Sequence, residues 1–361
     1  MILHSKPFVE ESDSISVADV VKSKLHAAGG VVKIFEDKIS KFSNAKYAKA
    51  TSSGTTAIHL SLLALGIEEG DEVILPSYVC QAVLNAVNYT KAKPILADIN
   101  DNYHISLKTI KPLITKKTRA IIVPHLFGYS ANIDDILTLK IPVIEDCAQS
   151  LGTKAKGKIV GTNGTLGIFS FFATKSISTG FGGMIITNSK KLKDKLNDLT
   201  QYDKRNTYKI AYNYGLTDIQ AALGISQLEK LPNFIEKRKQ IAERYDKAFL
   251  HLNIKLPKKV EGSYPFRYVI TLRDKKDLVY LKKKLKKEDI ITERPIFKPL
   301  HQYLSLPKEN FPNTEKAHST ALSIPIYPAL TEEEIITIIS SIKNALQKSP
   351  TRFHQQSTQK R

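Results

Sequence analysis

From about residue 50 the sequence alternates two periodicities, and that alternation limits the possible folds more than any other feature. TTAIHLSLLALGI repeats apolar residues at helical spacing, DEVILPS follows as a short apolar run closed by Pro76, and YVCQAVLNAVNY is helical again. KPILADI, AIIVPHLFG, IDDILTLK and PVIEDC continue as strand, strand, helix and strand. Short β-branched runs separated by helices predict an α/β domain with a mainly parallel sheet covered on both faces. At 361 residues and 42% hydrophobic content, the chain can bury one large core and a smaller one.

The stretch 167–188 departs from the alternation, with GIFSFF and GGMIITN as strands and little helix between them. Two amphipathic helices are expected next, around 217–231 and 233–251. After Pro257, SYPFRYVITL is strand-like, a basic helix follows, and TEEEIITIISSIKNAL is a closing helix with a capping start. The expected division is a large domain with the N-terminal segment over 1–255 and a smaller C-terminal α/β domain over 256–346. An aperiodic tail over 347–361 reads as disordered.

Composition excludes several classes. Cys80 and Cys147 are the only cysteines and sit in no paired spacing, which indicates neither a disulfide framework nor a thiolate metal site. The opening MILHSKPFVEESDS is too short in apolar character for a signal peptide, and no run is long enough to span a bilayer. No membrane partner is expected, and the expected location is the cytoplasm. The net charge of +19 gathers in amphipathic pieces such as KKDLVYLKKKLKKED, as on a solvated helix face, without a nucleic-acid-binding motif. A small anionic ligand suits that field better than a nucleic-acid partner.

Three segments carry chemistry. TSSGTT places Gly54, Thr55 and Thr56 at a helix N-terminus, a place suited to a phosphate although also an ordinary cap. PVIEDCAQS ends a buried strand in Glu145 and Asp146, with Gln149 just beyond, where α/β sheets gather ligands. FSFFATKSISTGFGG sets a lone Lys175 between an apolar strand and a glycine-rich bend. A lysine in a partly dry site loses its proton more readily and becomes a nucleophile. A phosphate cradle, a strand-end aspartate and an imine-forming lysine are together the anchors of a pyridoxal phosphate (PLP) site.

With these segments in order, the sequence resembles the DegT/DnrJ/EryC1/StrS sugar aminotransferases over about residues 30–346. The likeness rests on SSGTTAIHLSLLALGIEEGDEVILPS, KPILADI, VPHLFG, VIEDCAQSLGTKAKGKIVGTNGTLGIFSF, ATKSISTGFGGMIIT, YNYGLTDIQAALGISQLEKL and IPIYPALTEEE. It implies the aspartate aminotransferase fold (fold type I), with a large, mainly parallel sheet of seven strands and a smaller C-terminal domain. It also implies that Lys175 is the Schiff-base lysine and Asp146 the partner of the pyridine nitrogen. Gln149 would lie beside the cofactor ring, Ser170 and the Gly54–Thr56 turn at its phosphate. Asn213 would reach the neighbouring subunit's cofactor, so a homodimer with shared sites is expected.

The departures concern the pocket. Cys80 stands where many relatives stack an aromatic on the ring, so that contact falls to the thiol or to Tyr78. Gly215 stands where arginine is common, and Phe181 where the glycine turn often has glutamate. KSKLHAAGGVVKIFEDKISKF lacks the family's usual small-residue loop. His301, Tyr78 and Phe181 are the candidate substrate contacts. The resemblance implies transfer of an amino group, with glutamate as donor, to a keto sugar linked to a nucleotide at a 3- or 4-keto position, in amino-sugar and polysaccharide biosynthesis. A cyclic ketone without a nucleotide (an inosose) is the alternative substrate, and a non-catalytic PLP-holding or nucleic-acid-binding regulator the alternative class.

Overall fold

The computed structural model describes residues 1–347. Seven strands form the central sheet: β1 (Tyr47–Thr51), β2 (Glu72–Pro76), β3 (Lys93–Ala97), β4 (Thr118–Pro124), β5 (Val143–Asp146), β6 (Leu166–Ser170) and β7 (Gly183–Thr187). Their order is β1-β7-β6-β5-β4-β2-β3, and β7 alone runs antiparallel to its neighbours. The expected α/β fold with a mainly parallel seven-stranded sheet is therefore present.

Successive residues of each strand face opposite cores, which is why the strands read as continuous apolar runs. Val73 and Leu75 join one core with Ile122, Ile144 and Ile168; Ile74, Ile121 and Val123 join another on the opposite face, and Phe169, Met184 and Ile186 a third. Helix α3 (Gly54–Leu65) and helix α4 (Gln81–Tyr89) cover the first face, and α2 (Gly30–Ser43) packs into the third core. All the parallel strands deliver their carboxyl ends to one edge of the sheet. The site residues gather there.

The expected helices at 217–231 and 233–251 are one 32-residue helix, Asp218–Phe249, with Pro232 inside it. Proline removes one backbone bond and crowds the preceding turn. The helix continues because both halves are held: Leu228, Leu231 and Phe234 pack under the sheet, while Ile241, Tyr245 and Phe249 enter a second core. That second core is also not confined to 256–346. It gathers Ile2, the end of this helix, the two-stranded pair Tyr268–Thr271 and Ala321–Ile324, and the leucines of the basic helix Lys275–Lys287. Ile2 is bound in by its amide, which donates to Asp289 O at 2.7 Å, and by its carbonyl, which accepts from Ile291 at 2.9 Å.

The closing helix Glu332–Gln347 starts with the reciprocal cap that TEEE predicts: Thr331 N–H donates to Glu334 Oε2 at 2.9 Å and Glu334 N–H to Thr331 Oγ1 at 3.2 Å. Of the expected tail, Gln347 is the last helical residue and 348–361 lie outside the described residues. Among the described residues no helix is long and apolar enough to cross a membrane.

Candidate active site

β1 runs into a tight turn that starts α3. Thr56 N–H donates to Ser53 Oγ at 3.1 Å, and Ser53 N–H returns a bond to Thr56 Oγ1 at 3.0 Å. This closed cap spends the Thr56 hydroxyl within the turn. It leaves the amides of Gly54 and Thr55, the first two of a twelve-residue helix, without a partner among the described residues. A Cβ at Gly54 would sit 2.9 Å from Ser170 Cβ, so only glycine lets the helix start pass against the end of β6. Gly183 makes a similar allowance, since a Cβ there would lie 2.4 Å from Ser53 O. Free amides at a helix N-terminus beside the Ser170 hydroxyl form a cradle for a phosphate.

Asp146 closes β5 and is 7% exposed. Burial pushes its carboxyl above the ordinary aspartate value, opposed by the Ala148 amide, which donates to Oδ1 at 3.0 Å, and by the charge of Lys175. A buried acid of this kind holds its charge best against a cationic partner. Lys175 follows β6 in a compact loop, its N–H donating to Phe172 O at 2.8 Å. The next residue, Ser176, hydrogen-bonds the Tyr264 hydroxyl at 2.6 Å, which in turn donates to Leu151 O at 2.9 Å. Burial lowers the pKa of the Lys175 amine, Asp146 raises it, and Arg267 lowers it further. The net shift is downward, toward the neutral nucleophile.

Gln149 is oriented by Phe127, whose N–H donates to Gln149 Oε1 at 3.0 Å from a left-handed backbone with φ of 63°. Beneath it His125 and Glu145 form a buried pair, Nε2 to Oε2 at 2.9 Å. Glu145 also accepts the amides of Gly161 at 2.9 Å, Asn163 at 2.8 Å and Gly164 at 2.5 Å. With Cys147 within 4.8 Å the trio has metal-ligand composition, but these hydrogen bonds already occupy the carboxylate. The His125 amide donates to the Asp146 carbonyl at 2.9 Å, so the pair braces the strand end that carries the acid.

The remaining sequence candidates separate. Cys80 is exposed at the N-cap of α4. Tyr78 is fully buried, stacked on Tyr103 with ring centroids 5.9 Å apart, and its hydroxyl has no partner among the described residues. Phe181 is 61% exposed and meets Phe172 edge-on at 5.3 Å. Asn213 is exposed in a stretch without regular structure.

His301 is fully buried, not open to a cleft. The Ser77 hydroxyl accepts its backbone N–H at 3.1 Å and donates to its Nδ1 at 2.7 Å, which leaves Nε2–H to donate to Glu315 at 2.9 Å. Both ring nitrogens are thus committed to tying the end of β2 to the C-terminal elements. The AAGG stretch at 27–30 docks on the long helix. Gly29 and Val32 amides donate to Asp218 Oδ1 at 2.9 and 2.8 Å.

Two residues that the motifs did not single out belong to this region. His125 lies within the quoted string VPHLFG, and a histidine directly after a buried strand was its available signal. Arg267 interrupts the apolar pattern of SYPFRYVITL, an arginine inside a strand-like run. Free amides beside Ser170, a buried strand-end carboxylate and a lysine within that carboxylate's field fit PLP. The phosphate would sit on Gly54, Thr55 and Ser170, the pyridine nitrogen against Asp146, and the aldehyde at Lys175.

The DegT/DnrJ/EryC1/StrS aminotransferase family model matches residues 8–343. The GDP-perosamine synthase of Escherichia coli O157:H7 is 36% identical over 332 residues, covering 88% of this chain and 91% of that one. The UDP-N-acetyl-3-dehydro-alpha-D-glucosamine 3-aminotransferase of Acidithiobacillus ferrooxidans is 31% identical, with 88% and 89% covered. Among solved structures, Helicobacter pylori PseC, an aminotransferase involved in the biosynthesis of pseudoaminic acid, superposes with a TM-score of 0.89 at 25% identity, covering 96% of this chain and 99% of that one. The chain therefore belongs to the DegT/DnrJ/EryC1/StrS aminotransferase family and is a PLP-dependent aminotransferase.

Proposed function

We propose that the protein transfers the amino group of glutamate to a nucleotide-linked keto sugar, at a 3- or 4-keto carbon. The relatives named for GDP- and UDP-linked sugars support the substrate class, and the geometry around Lys175 and Asp146 supports the chemistry. The observation that carries the reading is the placement of a lowered-pKa lysine within the field of a buried strand-end aspartate.

When bound, PLP supplies an electron sink for the carbon that bears the amino group. The residues of the chain do the rest. Lys175 would hold the cofactor, and its Nζ would serve as the base that takes the proton from that carbon. Asp146 keeps the pyridine nitrogen protonated. Gln149, fixed by the Phe127 amide, would lie beside the ring, and the cradle at Gly54 would hold the phosphate.

The protein would work as a homodimer with shared sites. Asn213 has no hydrogen-bond partner among the described residues of its own chain and stands near the exposed Tyr202, Tyr208 and Ile210 in sequence, a stretch suited to a second copy. The test of the function is amino transfer in a panel. PLP-loaded protein is mixed with L-glutamate and GDP- or UDP-linked 3-keto and 4-keto sugars, and the products are read by mass spectrometry. An amino sugar with matching 2-oxoglutarate is the expected result. Amination of free cyclic ketones alone would overturn the nucleotide-sugar assignment.

A further inference from the structure

A recess beside the lysine loop is lined by His4, Lys6, Thr174, Arg238, Phe266 and Arg267. Thr174 is the residue before Lys175, whose Nζ lies 6.0 Å from the Phe266 ring centroid. Arg238 is held by structure through Nη1, which donates to the carbonyls of Phe266 and Ile326, although its Nε too lacks a partner among the described residues. Arg267 is not so held. Among the described residues its guanidinium makes a single approach, Nη1 to His4 Nε2 at 3.5 Å, and its Nε has no partner there. His4 accepts or donates to Ser323 Oγ at 2.9 Å, and burial lowers its pKa to about 3, so it brings no charge to the recess.

No carboxylate in the described residues lies in ion-pair range of Arg267. Glu293, the acid whose charge reaches it, is half exposed and 3.6 Å from Lys282. A second orphan stands close by, the fully buried Tyr78 hydroxyl, which lies in the field of Arg267 and Arg294. Its ring is held by the stack on Tyr103, whose own hydroxyl is 2.8 Å from Thr271 Oγ1. A partly buried guanidinium whose Nε is shut off from water, and a buried phenol, are costly without acceptors unless a ligand supplies one. The missing acceptor is an anion.

We propose that Arg267, assisted by the Tyr78 hydroxyl, is the clamp for the α-carboxylate of the amino donor. This rests on the aminotransferase reading and adds the donor's binding group to it. Position selects this anion over the phosphates of a nucleotide sugar. The reacting carbon must come within about 3–3.5 Å of the Lys175 amine. The charge of Arg267 acts on the Lys175 amine, so an anion held by Arg267 belongs beside the reacting carbon, as an amino acid's α-carboxylate does, whereas nucleotide phosphates stand several bonds from a 3- or 4-keto carbon. A planar guanidinium also matches a carboxylate through two parallel bonds.

The test compares L-glutamate with L-isoglutamine, in which the α-carboxylate is a neutral amide. Half-saturation is read from the loss of the cofactor's visible absorbance in the PLP-loaded protein. The expected wild-type preference for glutamate is about 30-fold or more, and Arg267→Leu should bring it within about threefold while leaving PLP loading unchanged. Tyr78→Phe should reduce it by a smaller factor. If Arg267→Leu does not take up PLP, Arg267→Gln is read in the same way.

Retained discrimination in a loaded Arg267 variant overturns the clamp alone. A wild-type ratio near one does so without any variant. A wild-type protein that responds to neither compound, nor to any other amino acid, overturns the aminotransferase reading and the clamp with it.

Discussion

The hydrogen between His125 Nε2 and Glu145 Oε2, 2.9 Å apart, belongs to the histidine, because His125 Nδ1 already accepts the Ala131 amide at 2.9 Å. Glu145 consequently remains a carboxylate inside the protein, surrounded by donors only. Glu145→Gln would turn an amide nitrogen toward those N–H groups. The expected loss is about 3 kcal/mol at neutral pH, read by urea unfolding. Burial alone would raise the Glu145 pKa, but the hydrogen bond from His125 and the amides of Gly164 and Gly161 hold it below 4.5. The stabilisation is therefore complete above the unfolded value and is lost as pH falls through the lower folded one. The gap between wild type and variant should narrow below pH 4.5; a gap that stays constant down to acid unfolding contradicts the assignment.

Lys175 and Asp146 should fail in different ways. Lys175→Ala removes both the attachment point and the proton carrier, so transfer should fall by at least about 10³-fold, with no borohydride-trapped cofactor on the peptide. Asp146→Asn keeps the side chain's size and loses its charge. Roughly 100-fold lower activity is expected, with attachment at Lys175 retained. Equal loss of attachment in both variants would mean that Asp146 serves folding of the strand end and not the ring.

The contact between Gly54 and Ser170 offers a reciprocal test. In Gly54→Ala the new methyl would lie 2.9 Å from Ser170 Cβ, and the helix start would have to shift away from the phosphate. Overpacking of this kind costs about 1–3 kcal/mol, and PLP affinity should fall by a comparable factor. Adding Ser170→Gly should restore part of that affinity despite removing a phosphate hydroxyl. If the double variant is weaker than the product of the single effects, crowding is not the cause.

Much of this was legible because strands and site motifs are local. The inner strands β2, β4, β5, β6 and β7 are buried along nearly their whole length and so read as mainly apolar sequence, and TSSGTT, VIEDCAQ and ATKS each sit at or just past a strand end. What failed to read depends on distant partners. The helix Glu11–Ser23 buries Asp13, which accepts from Ser226 at 2.7 Å, Gln227 at 2.9 Å and Lys230 at 2.8 Å, so its inner face carries no apolar stripe. IDDILTLK yields only one helical turn, Asp134–Leu137. The His301 and Arg267 environments likewise join residues far apart in the chain.

Pro232 suggested a break for the ordinary reason, yet two cores carry the helix across it, so it sits exposed in mid-helix at a cost. Pro232→Ala should therefore stabilise the protein by about 1 kcal/mol or more, the regained backbone bond outweighing the freer unfolded chain. Thermal unfolding measures it, and a destabilised variant would mean that the proline ring makes packing contacts the helix needs.

The proposed homodimer would restore activity in mixed dimers to a predictable extent. If Asn213 serves the cofactor phosphate of the partner subunit, Asn213→Asp places a negative charge against that phosphate and silences the neighbouring site. Mixed dimers of Asn213→Asp with Lys175→Ala then contain one site with both lesions and one with neither. Equal mixing yields half mixed dimers with one working site of two, so about a quarter of wild-type activity should return although each parent is inactive. Sites built within one chain would each keep a single lesion in the mixed dimer, and no activity would return at any ratio. Since Asn213 is exposed and makes no hydrogen bond among the described residues, Asn213→Asp should leave the unfolding temperature of the isolated subunit unchanged, which separates this outcome from misfolding.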